Sequence, residues 1–233
     1  MVETLSLRLV LDRPKMMTDL RIRSGSSDRH AFNRLADRAE SAAIPRALIM
    51  DSTLAETPED GLTIDGTPFS IEKIRSLTKI PCRVFPFLAT CGRELNTIKE
   101  GGSIIESFWL HEIMIKALEG AVNAAIRFVQ RASALDAVSL VSPGSFPGWD
   151  IHEQNKIFAL FEGHAEHEGI NLNSAMMLVP EHSLAGLLVP CREQHDLCGT
   201  ALTVCSRPLS RIYIHFYYTT YHAGCQPKSP MYP

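Results

Sequence analysis

The alternation of apolar and polar positions predicts both strands and helices along the chain. Helical spacing of apolar residues predicts one helix that Ser27 or Asp28 caps and a long central helix from Ser103 to about Gln130. The buried face predicted for the first helix comprises Phe32, Leu35, Ala36 and Ala39. The buried face predicted for the central helix comprises Ile113, Met114, Ala117, Leu118, Ala121, Val122, Ala125, Ile126 and Val129. Short apolar or alternating runs predict strands at Leu5–Leu11, Ala47–Met50, Arg83–Thr90, Ala137–Val141, Leu172–Val179 and Leu184–Val189. We expect the last two to form an antiparallel pair, and Pro86 to place its strand at an edge or a bulge.

The loop Ser142–Trp149 lies between a short apolar strand and a predicted helix start. Asp150 and Glu153 have capping-box spacing, so a helix should begin near Ile151. Two prolines and two glycines fix the path of the loop while letting its backbone approach a partner closely. Two interpretations follow: a ligand cradle with Phe146 and Trp149 beside it, or a tight connection whose aromatic rings fold back onto the core. The buried face of the helix should comprise Ile157, Phe158, Phe161 and Ala165.

Composition narrows the class of protein without identifying a chemistry. The 233 residues are 45% hydrophobic and 21% charged, which is typical of a globular protein. A net charge of -3, with scattered Lys and Arg, gives no basic stripe for nucleic acid. The sequence has no signal-peptide pattern and no window near the roughly 20 apolar residues of a membrane helix, so a cytoplasmic location is expected. Six widely spaced cysteines are expected to be reduced thiols.

Cysteine and histidine residues near the end of the chain form a candidate metal site. Thiolate and imidazole ligands suit zinc or an iron–sulfur cluster, although the spacing matches no named motif and free cysteines are common in cores. Cys91, before Gly92, is either an activated thiol at a helix start or a buried, inert cysteine; we favour the second. The candidate metal ligands are Cys191, His195, Cys198 and Cys205.

Four segments, in this order along the chain, resemble the motifs of a known family. Phe87–Leu95 is an apolar strand ending in Ala-Thr-Cys-Gly before a short helix, and Ile113–Leu118 reads Ile-Met-Ile-Lys-Ala-Leu. Ser142–Gly144 is a Pro-Gly loop followed by a helix containing Glu153–Phe158. Met176–Gly186 looks like a Met-x-Pro-x-x-Ser-x-x-Gly hairpin. Together these segments resemble the reactivation domain of cobalamin (vitamin B12)-dependent methionine synthase and the stand-alone proteins similar to it.

The resemblance implies the fold. It predicts a single α/β (α+β) domain with a twisted, mostly antiparallel sheet flanked by helices. The domain is expected over residues 1–205, with the resemblance strongest over 62–190. Residues 206–233, a Tyr- and Pro-rich tail, should either be disordered or add one strand at Ile212–Tyr221.

The resemblance also implies a function. Such domains support reductive reactivation, in which one-electron reduction of the cobalamin is coupled to methyl transfer from S-adenosylmethionine. The implied partners are methionine synthase or another corrinoid protein, which carries the cobalamin, and a flavodoxin-like electron donor. Because the cofactor and the methyl donor carry the chemistry, the protein needs to bind and orient these ligands and to exclude water from them. No catalytic residue is predicted. The predicted ligand-binding residues are Ser142, Pro143, Gly144, Phe146 and Trp149, with Glu153 fixing the helix start.

The same loop departs from the family pattern, which leaves alternatives open. The family has an arginine shortly before the loop that contacts the methyl donor, whereas Val138–Val141 contains no base. Ser145 and Phe146 occupy the place of a family tyrosine. The alternative is a non-catalytic module that binds a corrinoid protein, or a Cys/His metal carrier, without S-adenosylmethionine. A third hypothesis is a thiol enzyme that uses Cys91 or Cys191.

Overall fold

The computed structural model describes residues 1–98, 103–191 and the backbone of 202–203. The described strands are β1 Val2–Ser6, β2 Arg46–Met50, β3 Ser52–Glu56, β4 Leu62–Ile64, β5 Thr67–Phe69, β6 Cys82–Thr90, β7 Val138–Val141, β8 Asn171–Leu172, β9 Leu178–Val179, β10 Ser183–Pro190 and β11 Leu202–Thr203. The described α-helices are α1 Arg13–Asp19, α2 Ser27–Ala42, α3 Ile104–Ser133, α4 Gln154–Leu160 and α5 His164–His167. Short 3-10 helices span Glu72–Ser76, Arg93–Thr97 and Ile151–Glu153.

Strand β6 organises the main sheet. It pairs with β10 on one side, and β10 continues through β7 to β11. On its other side β6 pairs with β2, which carries β1, and with β3, which continues to β4 and β5. Every pairing is antiparallel, which confirms the predicted mostly antiparallel sheet flanked by helices.

The two faces of this sheet are buried in separate cores. Successive side chains of a strand point to opposite faces, and on β6 Phe87 belongs to one core while Leu88 belongs to the other. Helices α1 to α3 cover the first face. The β3–β5 segment, the loop after β7 and helices α4 and α5 cover the second. Alternation of this kind explains why β6 and β10 read as almost continuously apolar runs.

Pro86 lies in a strand that is paired on both sides with an unchanged register, so the predicted edge or bulge is not found. Strands β2 and β3 share one register against β6, since Ile49 pairs with Phe87 and Ser52 with Val84. The ladder is interrupted between these pairs, opposite Pro86. A proline has no N–H to donate, and the break between β2 and β3 falls where that donor is missing.

The two amphipathic helices agree closely with the sequence pattern. Helix α2 buries Phe32, Leu35, Ala36 and Ala39, the four predicted residues. Its N-cap is Ser26, not the predicted Ser27 or Asp28, and the Ser26 side chain accepts from the amide of Arg29. Helix α3 begins after Ser103 and buries all nine residues predicted for it. The buried residues predicted and found on α3 are Ile113, Met114, Ala117, Leu118, Ala121, Val122, Ala125, Ile126 and Val129.

Two predicted strands were wrong in their extent or partner. The first strand ends at Ser6, opposite Arg46, because Pro45 follows next on the partner side and has no N–H to continue the ladder. Residues Leu172–Val179 do not form one strand, because the Asn173 side chain accepts from the amides of Ala175 and Met177 and bends the chain. Strands β8 and β9 therefore pair with each other, and β10 pairs with β6 and β7 instead.

The domain boundary near residue 205 and the tail 206–233 stay predictions, because 192–201 and 204–233 lie outside the described residues. Within the described ranges, no helix is both long enough and apolar enough to cross a membrane.

Candidate functional site

The Pro-Gly loop after β7 is closed by its own backbone. The amides of Ser145 and Phe146 donate to the carbonyl of Ser142 at 3.2 and 2.9 Å, and the amide of Gly144 donates to the carbonyl of Trp149 at 2.8 Å. Gly144 has a φ of +78°, and a Cβ there would lie 2.9 Å from Cδ1 of Ile151. Glycine is therefore required for this closed turn.

The two aromatic rings of the loop face the core. Phe146 and Trp149 are 5% and 2% exposed and belong to the core on the α4 side of the sheet. Trp149 packs edge-on against Phe69, with ring centroids 6.5 Å apart. This arrangement agrees with the interpretation in which the rings fold back, and neither ring offers a free face to a ligand in this conformation.

Buried polar atoms without a hydrogen-bond partner are concentrated in this segment. Buried polar groups are normally paired, and exceptions mark a site for water or a ligand. Among the described residues seven such atoms occur, and four of them belong to the stretch from β7 to the start of α4. The other three are dispersed over β3 and α3, on Ser52, Glu119 and Ser133. The four are Ser139 Oγ, Ser142 Oγ, Trp149 Nε1 and Gln154 Oε1.

The reciprocal capping box is absent, but the predicted helix start near Ile151 is confirmed. Asp150 is the N-cap and accepts from the amide of His152 at 2.8 Å, an arrangement that short acidic side chains favour. The helical segment begins as a 3-10 turn at Ile151–Glu153, which continues into α4 at Gln154. The Glu153 carboxylate instead accepts from the amide of Ser70 and from Lys156 Nζ, at 3.1 and 2.7 Å. Glu153 therefore ties the end of β5 to the helix start.

Polar residues from the quoted motifs meet across the β6–β10 pair. Thr90 and Ser183 are register partners, and Ser183 Oγ donates to Thr90 Oγ1 at 2.8 Å while both residues are buried. One step beyond, the amide of Cys91 donates to the carbonyl of His182 at 2.9 Å. The segment ending in Ala-Thr-Cys-Gly and the hairpin before β10 are therefore neighbours in space.

Gly186 brings the same hairpin motif into contact with the Pro-Gly loop. A Cβ on Gly186 would lie 2.3 Å from the carbonyl oxygen of Val141 and 2.7 Å from Ser142 Oγ. Only a residue without a side chain permits this approach between β10 and the end of β7. The glycine of one motif therefore sets where the loop of the other begins.

A pair of histidines lies where α3 approaches the turn before β10. Nε2 of His182 is 2.9 Å from Nδ1 of His111, and the two rings meet edge to face. Burial, with a smaller effect of nearby His111, lowers the pKa of His182 to about 4. The sequence does not predict this pair, because no local pattern links residues that are 71 positions apart.

The cysteines give no support for thiol chemistry in the described residues. Cys91 is 0% exposed, and burial raises the pKa of its thiol to about 12, so the cysteine is buried as predicted and its inertness stays a prediction. Of the candidate metal ligands only Cys191 is described; His195, Cys198 and Cys205 lie outside the described residues. No group of three or more potential ligands occurs in the described part of the chain, and the four-residue site stays a prediction.

A cavity of about 440 Å³ occurs elsewhere, beside the C-terminal part of α3. Glu3, Asp51 and Arg83 provide its charges, and Phe85 and Phe128 are among its apolar walls. No residue of the Pro-Gly loop lines it.

Comparison with known proteins supports the fold of the chain. No protein-family model matches the sequence, and no curated protein does. Among solved structures, the chain is similar to the crystal structure of the MetH reactivation domain bound to AdoHcy, with a TM-score of 0.58 and 12% sequence identity. The alignment covers 84% of this chain and 80% of that one. The predicted reactivation-domain-like architecture is thus confirmed as a fold.

Proposed function

We propose that this protein is an S-adenosylmethionine-binding accessory of cobalamin-dependent methyl transfer. It docks on methionine synthase or a related corrinoid protein, with a flavodoxin-like protein as electron donor. The methyl donor and the partner's cobalamin supply the chemistry, one-electron reduction coupled to methyl transfer. The residues of this chain bind and orient these reactants and exclude water from them.

The observation that carries the proposal is the concentration of unpartnered buried polar atoms at the Pro-Gly loop. Ser142 Oγ can donate or accept, Trp149 Nε1 can only donate, and Gln154 Oε1 can only accept. A nucleoside with an amino-acid tail presents both donors and acceptors, so it fits this mixed set. The likeness to a domain whose solved structure holds AdoHcy supports the same ligand class.

Calorimetric titration of the protein with S-adenosylmethionine tests the proposal. Ser142→Ala should weaken binding by about 3- to 10-fold, the effect of one net hydrogen bond. Ser52→Ala is the matched control, because Ser52 Oγ is also buried and unpartnered but lies on β3. No heat at millimolar ligand, or equal weakening by both variants, would refute binding at the loop.

A second candidate is a corrinoid-protein-binding module that no longer binds the methyl donor. The burial of Phe146 and Trp149 favours it, because rings packed into the core cannot stack on adenine. Sedimentation of the protein with a corrinoid protein distinguishes the two candidates. A stable complex without any heat from S-adenosylmethionine would support the second, and absence of both would refute both.

A further inference from the structure

The cavity of about 440 Å³ lies between the C-terminal part of α3 and the sheet. Neighbouring strands line it from one side, with Glu3 on β1 and Phe85 on β6. Phe128 and the last two residues of α3, Ala132 and Ser133, line it from the other. Small-molecule sites have volumes of about 300–1,000 Å³ and are mostly apolar with a few polar groups. The cavity is therefore large enough for an organic ligand.

The side chains that line the cavity leave one negative charge uncompensated. Arg83 donates to Asp51 from Nε at 3.0 Å, and its Nη2 forms a second hydrogen bond to the same carboxylate, so these two charges cancel. Among the described residues, no group forms a hydrogen bond or an ion pair with the carboxylate of Glu3. Opposite charges attract each other more strongly at a protein surface than in bulk water. The cavity therefore favours a cationic ligand.

Two uncharged features of the lining favour a cation as well. The C-terminal end of a helix carries a partial negative charge, and the last two residues of α3 line the cavity. Aromatic faces attract cations. The guanidinium of Arg83 already lies 5.4 Å from the ring centroid of Phe85, and Phe128 is only half-buried, so part of its side chain is accessible. The basic residue in the last turn of α3, Arg131, is exposed and does not line the cavity.

We propose that this cavity binds a cationic organic amine. The ammonium group lies beside the carboxylate of Glu3 and the end of α3, and the apolar body of the ligand packs against Phe128 and the other apolar lining residues. An anionic ligand of the same shape is disfavoured, because the one lining cation, Arg83, is already paired with Asp51. No residue of the Pro-Gly loop lines this site, so it does not depend on the function proposed above.

A titration with three probes that share a phenyl ring and differ in charge tests the proposal. The ¹⁵N-labelled full chain receives phenethylamine, phenethyl alcohol or phenylpropionate up to millimolar concentration, and amide spectra report each residue. At pH 7 the first probe is a cation, the second is neutral and the third is an anion. We expect phenethylamine to shift the amide signals of Glu3 and of residues 128–133, and to bind about 3- to 10-fold more tightly than the alcohol. Phenylpropionate or the alcohol binding as tightly as the amine, or no shift at the cavity with any probe, would overturn the proposal.

A charge variant with a matched control tests the role of Glu3. Glu3→Gln removes the charge and keeps the shape of the side chain, so it should abolish the preference for the amine and leave binding of the alcohol unchanged. Glu59→Gln is the control, because Glu59 is also exposed and unpaired among the described residues but does not line the cavity. Both variants change the net charge equally. A preference that persists in Glu3→Gln, or that is lost equally in the control, would contradict the proposal.

Filling the cavity tests its location independently of charge. Ala132 lines the cavity from an exposed position of α3, so Ala132→Trp can place a large ring there without entering the core. Circular dichroism checks that the variant is folded. Binding of phenethylamine and of phenethyl alcohol should then be lost together. Unchanged binding of the amine by folded Ala132→Trp would exclude the cavity as its site.

Discussion

Substitution of Gly186 by alanine tests the contact on which the position of the Pro-Gly loop depends. The new Cβ would lie 2.3 Å from the carbonyl oxygen of Val141, 2.7 Å from Ser142 Oγ and 3.2 Å from Cε1 of Phe87. Ordinary contact begins near 3.4 Å, so the backbone of β7 would have to move by about 1 Å. Overpacking of this kind costs about 1–3 kcal/mol, and more where backbone must move. We expect a loss of about 3 kcal/mol.

Urea unfolding followed by circular dichroism measures this loss directly. In a domain of this size about 3 kcal/mol corresponds to a decrease in melting temperature of roughly 6–12 °C. The matched control is Gly120→Ala on α3, where no atom lies within 4 Å of the new Cβ and the residue is exposed. That variant should gain about 1 kcal/mol, because alanine is the better helix former.

The pair of variants separates steric conflict from a general effect of alanine. The free energy of unfolding of Gly186→Ala should not lie within about 0.5 kcal/mol of the value for the parent protein, because a difference that small is typical of neutral surface substitutions. Such a result would show that the close approach of β10 to the loop is wrong. The accompanying S-adenosylmethionine titration should show weakened binding in Gly186→Ala and unchanged binding in Gly120→Ala, because only the first displaces Ser142.

Three further predictions concern the strand ends near the loop. Iodoacetamide at pH 8 should leave Cys91 unmodified until the protein unfolds, as peptide mass mapping would show, because its thiol is buried and its pKa is about 12. Burial opposes ionisation of Glu94, but hydrogen bonds from Arg46 and the backbone, together with the charges of Arg46 and Arg93, outweigh it and lower its pKa. The stabilisation is therefore present at pH 7 and is lost as the pH falls from the unfolded value of 4.5 through the lower folded value; Glu94→Gln should cost about 1 kcal/mol in the free energy of unfolding at pH 7, and this cost should shrink as the pH falls through that range. Thr90→Val should cost about 1–3 kcal/mol by removing the acceptor of both Ser183 Oγ and the Gly92 amide, and adding Ser183→Ala should recover only the Ser183 part in a double-mutant cycle.

The parts of the fold that the sequence predicted depend on short-range periodicity. Nine of the twelve buried residues of helix α3 were predicted, because 30 residues of helical spacing average out local exceptions; Trp109, Leu110 and Ile115 were missed. The predictions that were wrong concern residues whose partners are distant in the chain. Pro86 is tolerated in a central strand because the facing strand is interrupted there, and Glu153 caps nothing because Ser70 binds its carboxylate.

The candidate site at the Pro-Gly loop stays a prediction, and only the form of the loop can be compared with the structure. Its eight-residue loop could be recognised from Pro and Gly spacing, and its closed backbone agrees with that. The direction in which Phe146 and Trp149 point depends on the core formed by β5 and α4. The contact between His111 and His182 depends on how α3 lies on the sheet. Neither arrangement has a signature in the local sequence.

The inward direction of the rings leads to a prediction about ligand selectivity. S-adenosylmethionine carries a positive sulfonium that AdoHcy lacks, and an aromatic face next to it would favour the charged ligand by about 0.5–2 kcal/mol. Because Phe146 and Trp149 are 5% and 2% exposed, no such contact is available at the loop. The two ligands should therefore bind with dissociation constants within about threefold of each other when titrated in parallel. A preference above about 10-fold for S-adenosylmethionine, lost in Phe146→Leu, would mean that the loop opens and turns a ring toward the ligand.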